Sequence, residues 1–418
     1  MSLTNFSIIE TMRIGFLSFR IAGNDGVSLE AVRWRTVLTR MGHKVIFIAG
    51  ELDQKGVLLP DLHFTNPQIH RIHEAIVSEN IPYKQVESKI FSLAGKIEGE
   101  LREVFRQYHC DQLIVANVFS LPIHFPLAVA LERVITELEI PTISRNHDFW
   151  WERSRYSKSS YFDFFRRYFP PGDPIIRHVT INNIAQREMK DRTGLSSTVI
   201  GDSFDFKSKL NRLDQYASHW RKDFKIKEDD LVFLQPTRIV ARKRIEVAID
   251  LVKRLNDERI ILVLSGNPTD EGIEYALNLR ETIAKSGIRY EFIGHRINAK
   301  RKIINDNRVY TLWDCFVNCD FVTYASSVEG FGNQLIEAIY FKKPLLINRY
   351  AVYKSDLEPL GIKAVTMNGY LTDRAVQKVK DLLDNEDLRK RFVEQNFRIG
   401  QDHFSFEVLR EKLKSLGL

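Results

Sequence analysis

The chain has 418 residues, of which 44% are hydrophobic and 28% are charged. These proportions exclude a fibrous or intrinsically disordered protein, and the length predicts two or three domains at the usual ~100–200 residues each. Lysine and arginine number 61 against 54 acidic residues, which gives a formal net charge of +7. This mild excess fits a protein that handles nucleotides or phosphates, and it leaves open a basic surface that serves only solubility.

The cysteines and the apolar runs indicate the setting of the protein. Cys110, Cys315 and Cys319 are an odd number with no paired CxxC, so a disulfide framework is not expected. No histidine or cysteine cluster completes a metal site, and we expect no metal. The N-terminus lacks a secretory signal pattern, and no apolar run approaches the ~18 residues that span a bilayer. We therefore expect a cytoplasmic protein.

The first half of the chain predicts a βαβ unit. RIGFLSF at 13–19 has the pattern of a buried strand, and a helical pattern follows from Ser28, a candidate N-cap, to Met41, with Gly42 as its end. The next strand predictions are KVIFIAG (44–50), QLIVAN (112–117) and PTIS (141–144). Such a series predicts a parallel sheet.

The second half repeats this pattern. DLVFLQPTR at 230–238 predicts a strand, and a helical stretch runs from Ile245 to Asn256. The remaining strand predictions are IILVLSG (260–266), YEFIG (290–294), DFVTYA (320–325) and PLLIN (344–348). Strands and helices of these lengths that alternate along the chain predict a parallel sheet covered by helices on both faces. The sequence therefore predicts an α/β protein of two doubly wound, Rossmann-like domains.

The predicted domain boundary lies in the polar stretch 202–229, which carries no strong strand signal. We place a hinge near Ser203 to Lys207 and assign 1–204 to the first domain and 205–401 to the second. FSFEVLREKLKSL near the C-terminus predicts an amphipathic helix, and we expect 402–418 to complete the first domain.

The segment SSVEGFGNQLIE carries the strongest signal for a ligand site. If a helix begins near Asn333, Glu329 lies in the loop before it and Glu337 lies one turn inside, so that both carboxylates can face one ligand. Gly330 and Gly332 permit close approach, and the N–H groups at a helix start attract phosphate. A nucleoside diphosphate joined to a sugar fits this arrangement, whereas an ordinary loop with surface acids is the alternative.

EGFGNQLIE resembles the signature of retaining GT-B-fold glycosyltransferases of the family-4 type, the glycosyl transferases group 1, which include sucrose-phosphate synthases and bacterial mannosyltransferases. The resemblance extends over nearly the whole chain. It implies that Glu329 contacts hydroxyls of the transferred sugar and that Glu337 contacts the nucleotide ribose. It also implies that backbone amides reach the donor from Phe331, Gly332, Asn333 and Gln334.

A second segment, PTRIVARKRIE, follows a predicted strand, where ligands of parallel sheets collect. It is similar to the family's strand-end arginine followed five residues later by lysine, which implies that Arg238 and Lys243 clamp the donor diphosphate. Arg242 and Arg244 are not needed by this pattern. The alternative is a solvated basic loop or a nucleic-acid patch.

The segment SRNHDFWWERSRY resembles the family's element whose histidine lies beside the donor sugar, which makes His147 the candidate. The following aromatic run, Phe149 to Trp151, is of a kind that lines sugar sites. After the first strand, IAGNDGVS is a glycine-containing turn into a helix, and the resemblance implies that Gly26 and Val27 approach the donor phosphate. A plain tight turn is the alternative.

Taken together, the resemblance implies hexose transfer, with retention, from a GDP- or UDP-sugar to an acceptor hydroxyl in a cleft between the domains, with no cofactor beyond the donor. GNDGVSLEAVRWRTVLTRMGHKVIFIAGELD and SRNHDFWWER are similar to glycosyltransferases related to mannosylglucosylglycerate synthases. This similarity implies GDP-mannose as donor and a small acidic glucoside, such as glucosylglycerate, as acceptor. Arg20 and Arg145 are candidates to bind its carboxylate.

Other functions stay open at this point. They are a lipid or polysaccharide glycosyltransferase with peripheral membrane contact, a sugar-nucleotide epimerase, a phosphorylase-like enzyme and a nucleic-acid-binding protein. We expect no nucleic acid as partner. The sequence does not indicate the oligomeric state.

Overall fold

The computed structural model describes residues 11–23, 25–156, 161–268 and 272–418. It divides the chain into two units, Met1–Gly201 with Leu409–Leu418, and Asp202–Val408. The division between 201 and 202 lies close to the predicted hinge. Within the described residues, none of the helices is both long and apolar enough to cross a bilayer.

The first unit is built on a parallel sheet. Its strands are β1 Arg13–Ser18, β2 Lys44–Ala49, β3 Gly56–Leu58, β4 Gln112–Ala116, β5 Thr142–Asn146, β6 Ile176–Thr180 and β7 Ser197–Val199. Among the described residues they lie in the order β3-β2-β1-β4-β5-β6-β7. The order reverses between β1 and β4, where Ile14 pairs with Gln112. Loops that follow these two strands therefore diverge above the carboxyl edge of the sheet.

Helices connect these strands. They are α1 Gly26–Arg40, α2 Pro67–Val77, α3 Tyr83–Gln107, α4 Phe125–Leu138, α5 Phe162–Tyr168 and α6 Asn183–Thr193. The predicted N-cap of the first helix was wrong: Asp25 caps it, and its carboxylate accepts hydrogen bonds from the backbone N–H groups of Val27 and Ser28, both at 3.1 Å. Aspartate is as good an N-cap as serine, and the capping side chain decides where the helix begins.

The second unit contains another parallel sheet. Its strands are β8 Leu231–Gln235, β9 Ile260–Leu264, β10 Arg289–Phe292, β13 Phe321–Tyr324, β14 Leu345–Asn348 and β15 Val365–Met367, with a separate hairpin of β11 Lys302–Ile304 and β12 Asn307–Val309. The order is β10-β9-β8-β13-β14-β15, so it reverses between β8 and β13. Phe233 pairs there with Phe321, and Leu234 with Val322.

Helices of the second unit precede, connect and follow these strands. They are α7 Trp220–Asp223, α8 Glu246–Leu255, α9 Ile273–Lys285, α10 Leu312–Asn318, α11 Asn333–Tyr340, α12 Asp373–Asp384 and α13 Glu386–Phe404. The last helix, α14 Phe406–Ser415, enters the first unit at Leu409. There Leu409, Leu413 and Leu416 are buried, as the amphipathic pattern predicted.

The cores are apolar, as the strand patterns predicted. Cys315 and Cys319 are buried in the second unit, while Cys110 is half-buried in the first. Each fully buried Leu, Ile or Phe contributes ~1.5–3 kcal/mol relative to an exposed side chain. Strands that the sequence analysis did not predict are β3, β6, β7, β11, β12 and β15.

Candidate functional site

The candidate site lies where the strand order of the second unit reverses. Polar side chains fix this point, because Gln235 at the end of β8 donates to Thr237 at 2.8 Å and accepts from Thr323 of β13 at 2.7 Å. The two strands end side by side, so the segments that follow them, 236–245 and 325–332, meet at the carboxyl edge of the sheet. Ligands of open α/β sheets bind at such an edge.

Glu329 is the centre of an ion cluster at this edge. The ammonium of Lys243 donates to its Oε1, and the guanidinium of Arg242 lies 3.2 Å from its Oε2. Arg242 also donates to the carbonyl of Val328 at 3.1 Å, while Ser327 donates from its backbone to the carbonyl of Arg242 at 2.8 Å. The loop after β8 and the loop after β13 therefore hold each other in place.

Burial and charge act against each other in this cluster. Burial raises the pKa of the Glu329 carboxyl, but Lys243 and Arg242 outweigh it and hold that pKa below its ordinary value. Burial also lowers the pKa of the Lys243 ammonium, and Glu329 opposes this lowering. Lys243 has a side chain that is only 5% exposed, so it depends on a nearby negative charge to stay protonated.

The glycine loop leads directly into α11. Gly332 is the N-cap residue with φ +141°, a conformation that favours glycine, and a Cβ at this position would lie 2.5 Å from the Tyr350 hydroxyl oxygen. The Tyr350 hydroxyl donates to the carbonyl of Phe331 at 2.6 Å and thereby fixes the loop. The helix begins at Asn333, as the sequence predicted, and its first N–H groups follow Glu329 closely in the chain.

The other predicted residues of this region differ in exposure. Glu337 is buried on α11, one turn inside the helix, and Phe331 is buried in the loop. Asn333 and Gln334 are half-buried at the helix start. Arg238 is exposed and lies five residues before Lys243. Gly266 packs closely against this segment, since a Cβ on Gly266 would lie 1.9 Å from the carbonyl oxygen of Thr237.

Arg242 is the residue that the sequence analysis missed. The spacing pattern set it aside, yet it is the second cation on Glu329. The sequence offered only one signal for Arg242, which is that it adjoins Lys243. Arg244 adjoins Lys243 as well, but it pairs with Glu246 at 3.8 Å.

His147 belongs to the first unit, at the carboxyl end of β5. Its backbone N–H donates to Oδ1 of Asn117 at 2.7 Å, which fixes it against the end of β4. Its ring nitrogen Nε2 accepts a hydrogen bond from Nε of Arg145 at 3.0 Å. Burial, and then the charge of Arg145, lower the pKa of His147 well below its ordinary value, so the imidazole is neutral. The structure therefore groups His147 with Asn117 and Arg145.

The turn at Gly26 and Val27 is occupied by its own cap. Val27 donates its backbone N–H to Asp25, and Arg20 pairs with the same aspartate at 3.0 Å. The amide of Val27 is thus already engaged, and a phosphate at this turn would have to displace the Asp25 carboxylate. Asn24 of this loop lies outside the described residues.

One further expectation in the first unit was wrong, and a second, that the aromatic run lines a sugar site, stays a prediction. Arg145 is fully buried and pairs with Glu30 at 3.3 Å, so it is not available to an acceptor carboxylate. The aromatic run packs into the protein: Phe149 is buried and stacks on Trp151 at 4.4 Å between ring centroids, while Trp150 donates to the carbonyl of Phe169 at 2.9 Å. These rings have structural partners.

Among the described residues, no group of three or more His, Cys, Asp or Glu side chains is arranged to hold a metal ion. What the second unit offers instead is a carboxylate, two cations and a helix start at one sheet edge. Such a set can bind an anion through the cations and the helix N–H groups, and hydroxyls through the carboxylate.

Comparison with known proteins identifies the family of the chain. The family model described as Glycosyl transferases group 1 matches residues 217–398, which include the whole ion cluster. A mannosylglucosylglycerate synthase of Thermotoga maritima is 33% identical to this chain and aligns with 96% of it and 99% of the relative. The chain belongs to the glycosyl transferases group 1 family.

A second relative is similar to this glycosyltransferase over a comparable length. The mannosylglucosylglycerate synthase of Petrotoga mobilis is 32% identical over 97% of each chain. Solved structures share the fold of this chain. The Anabaena protein HepE in complex with UDP and glucose superposes on it with a TM-score of 0.65 at 14% sequence identity, over 97% of this chain and 99% of the other. Sucrose-phosphate synthase of Thermosynechococcus elongatus superposes with a TM-score of 0.67 at 13% sequence identity, over 97% of this chain and 98% of the other. The fold is therefore GT-B.

Proposed function

We propose that this glycosyltransferase moves a hexosyl group from a nucleoside diphosphate sugar to an acceptor hydroxyl with retention of the anomeric configuration. The observation that carries the proposal is the cluster of Glu329, Lys243 and Arg242 beside the start of α11. It combines cations for a diphosphate with a carboxylate for sugar hydroxyls in one place.

The cations act on the leaving group. When the bond between the sugar and the diphosphate breaks, negative charge grows on the departing phosphate oxygen, and fixed positive charges close to it lower the barrier. Lys243 is buried and already held in position, so little reorganisation is needed when the donor arrives. Arg238, which is exposed after β8, is the further cation that the family resemblance assigns to the diphosphate.

The carboxylates orient the two ends of the donor. Glu329, which its cations keep ionised, accepts hydrogen bonds from hydroxyls of the transferred sugar. Glu337 has the same role for the ribose, and the N–H groups from Gly332 to Gln334 donate to the donor phosphates. His147 supplies a neutral hydrogen-bond partner for the sugar. Retention then follows from attack on the face that the leaving phosphate occupies, with that phosphate oxygen taking the acceptor proton.

For the substrates we propose a mannosyl donor, GDP-mannose, and a small acidic glucoside such as glucosylglycerate as acceptor, in the cytoplasm. The support is the full-length similarity to two proteins named mannosylglucosylglycerate synthase. UDP-glucose is the alternative donor. Nucleic-acid binding is not favoured, because Arg242 and Lys243 are already paired with Glu329.

The experiment has two steps. Thermal unfolding is first measured with GDP-mannose, GDP-glucose, UDP-glucose and UDP-galactose, and the donor that raises the midpoint is then incubated with glucosylglycerate. Mass spectrometry detects the added hexose. The one-bond ¹³C–¹H coupling at the anomeric carbon of the product, measured by NMR, tests retention. A protein whose midpoint responds to no nucleotide sugar, or a product of inverted configuration, contradicts the proposal.

A further inference from the structure

A buried ion pair lies directly behind His147 in the first unit. Arg145 and Glu30 are both fully buried, and a guanidinium nitrogen of Arg145 lies 3.3 Å from Oε2 of Glu30. The same guanidinium lies over the ring of Trp34, 4.5 Å from its centroid. Arg33 donates to the other oxygen of Glu30 at 2.6 Å. The position of Arg145 is therefore fixed from α1, independently of the histidine.

Arg145 determines which nitrogen of the imidazole is protonated. A guanidinium has only donors, so the ring nitrogen that it contacts at 3.0 Å, Nε2, must be the acceptor. A neutral imidazole carries one proton, which then lies on Nδ1. Asn117 binds the backbone N–H of His147 and not the ring, and in the described part of the first unit the contact with Arg145 is the one hydrogen bond that the ring makes.

We propose that Arg145 is a positioning residue that holds His147 as the neutral Nδ1–H tautomer, with Glu30 and Trp34 keeping the guanidinium against Nε2. The tautomer itself stands on this geometry alone. Its use in hexose transfer rests on the proposed function, where Nδ1–H donates to a sugar hydroxyl and the ring brings no positive charge to an oxocarbenium-like transition state.

The charged groups around this histidine come from three elements and from the loop after β5. Arg145 lies on β5, and Glu30 and Arg33 lie on α1. Lys412 of α14 faces Arg145, whose charge, after burial, lowers the pKa of that lysine. Asp148 is engaged by Arg153 at 3.1 Å. Of these groups, Arg145 is the one in direct contact with the ring, so its removal is expected to dominate any change in His147.

The test measures the tautomer before any activity. The full-length protein is labelled with ¹⁵N-histidine, and the signal of His147 is assigned by its loss in His147→Gln. We expect the two-bond ¹H–¹⁵N correlations to show an unprotonated Nε2 and a protonated Nδ1 from pH 8 to pH 5.5. An Nε2–H tautomer, or an imidazolium at pH 6.5, overturns the proposal.

Two substitutions separate the charge of Arg145 from its hydrogen bond. Arg145→Gln keeps an amide donor but loses the charge, so the Nδ1–H tautomer should persist while the pKa of His147 rises by the part of its lowering that this charge causes; the larger part, which comes from burial, remains. Arg145→Met loses both, so the pKa should rise and the tautomers should mix. Glu30 keeps Arg33 as its partner at 2.6 Å in both variants, and Glu30→Gln combined with Arg145→Gln replaces the single variants if they do not fold.

The pH profile of transfer distinguishes positioning from general support of the fold. In the Arg145→Gln variant, the loss in kcat/KM relative to wild type should grow as the pH falls through the pKa that NMR measures for His147 in this variant, because His147 then becomes protonated. A loss that is equal at all pH values overturns the proposal. If His147→Gln transfers hexose normally, the role of His147 in the proposed function fails, while the NMR result still decides the tautomer.

Discussion

Replacing Lys243 by methionine should weaken binding of a free nucleoside diphosphate. The ammonium is buried and faces the sheet edge where the diphosphate is proposed to bind. Two unit charges about 4 Å apart attract by ~4 kcal/mol at an effective dielectric constant of 20, but Lys243 must share its charge with Glu329. A hydrogen bond to a charged group contributes ~1.5–3 kcal/mol net, which corresponds to a roughly 10- to 150-fold increase in Kd.

Isothermal titration calorimetry with GDP and with UDP measures this change without any sugar in the site. Arg244→Gln is the matched control, because Arg244 is the next residue in the chain but pairs with Glu246 and not with Glu329. The control should bind within about twofold of wild type. If Lys243→Met also binds within twofold, the assignment of the diphosphate to this sheet edge is refuted.

The stability of the same variant gives an internal check. Breaking a buried ion pair from one side costs ~3–5 kcal/mol, and the cost here should be lower because Arg242 remains beside Glu329 at 3.2 Å. Lys243→Met combined with Glu329→Gln removes both charges and should recover part of the lost unfolding free energy in a denaturant titration. Additive losses would show that the two residues are not coupled.

The remaining predictions concern one residue each. Glu329→Gln should reduce kcat for hexose transfer by about 10²–10³ while the circular dichroism spectrum stays that of wild type, and near-normal turnover would contradict the role of Glu329. Gly332→Ala should destabilise the protein by about 1–3 kcal/mol through strain at φ +141° and the contact with Tyr350, whereas Gly369→Ala, at φ +80° with no atom near the added Cβ, reports the strain alone. Asp230 is buried and its pKa is lowered, chiefly by hydrogen bonds from Arg289 at 2.5 and 2.7 Å. Its ionised form therefore stabilises the fold above the unfolded pKa of ~3.9, and this contribution is lost as the pH falls through the folded value, so Asp230→Asn should flatten the acid limb of the unfolding free energy. An unchanged acid limb would show that another carboxyl controls it.

Much of the fold could be predicted because buried parallel strands have continuous apolar runs. Long runs such as 13–19 and 260–266 are recognisable without any partner, whereas β3, β7 and β15 have three residues each and are stable only beside a neighbouring strand. The start of the first helix was misplaced because Asp25 and Ser28 are both good caps, and only three-dimensional contacts show which one accepts the amides.

The candidate site shows the same limit. Glu329 and Lys243 were found through separate motifs, but their contact depends on the pairing of β8 with β13, which no local pattern encodes. Arg242 was missed for this reason. Arg145 was misread because its burial against Glu30 and Trp34 depends on α1, more than a hundred residues earlier in the chain.

The C-terminal return of the chain has a consequence for synthesis. Residues Leu409–Leu418 belong to the first unit, and Leu409, Leu413 and Leu416 are buried there. The second unit, Asp202–Val408, is continuous, so a ribosome adds all of its residues before Leu409, Leu413 and Leu416 of the first unit exist. The first unit therefore keeps an apolar surface uncovered until residues 409–418 have been made, and during that interval this surface is open to aggregation or to a chaperone.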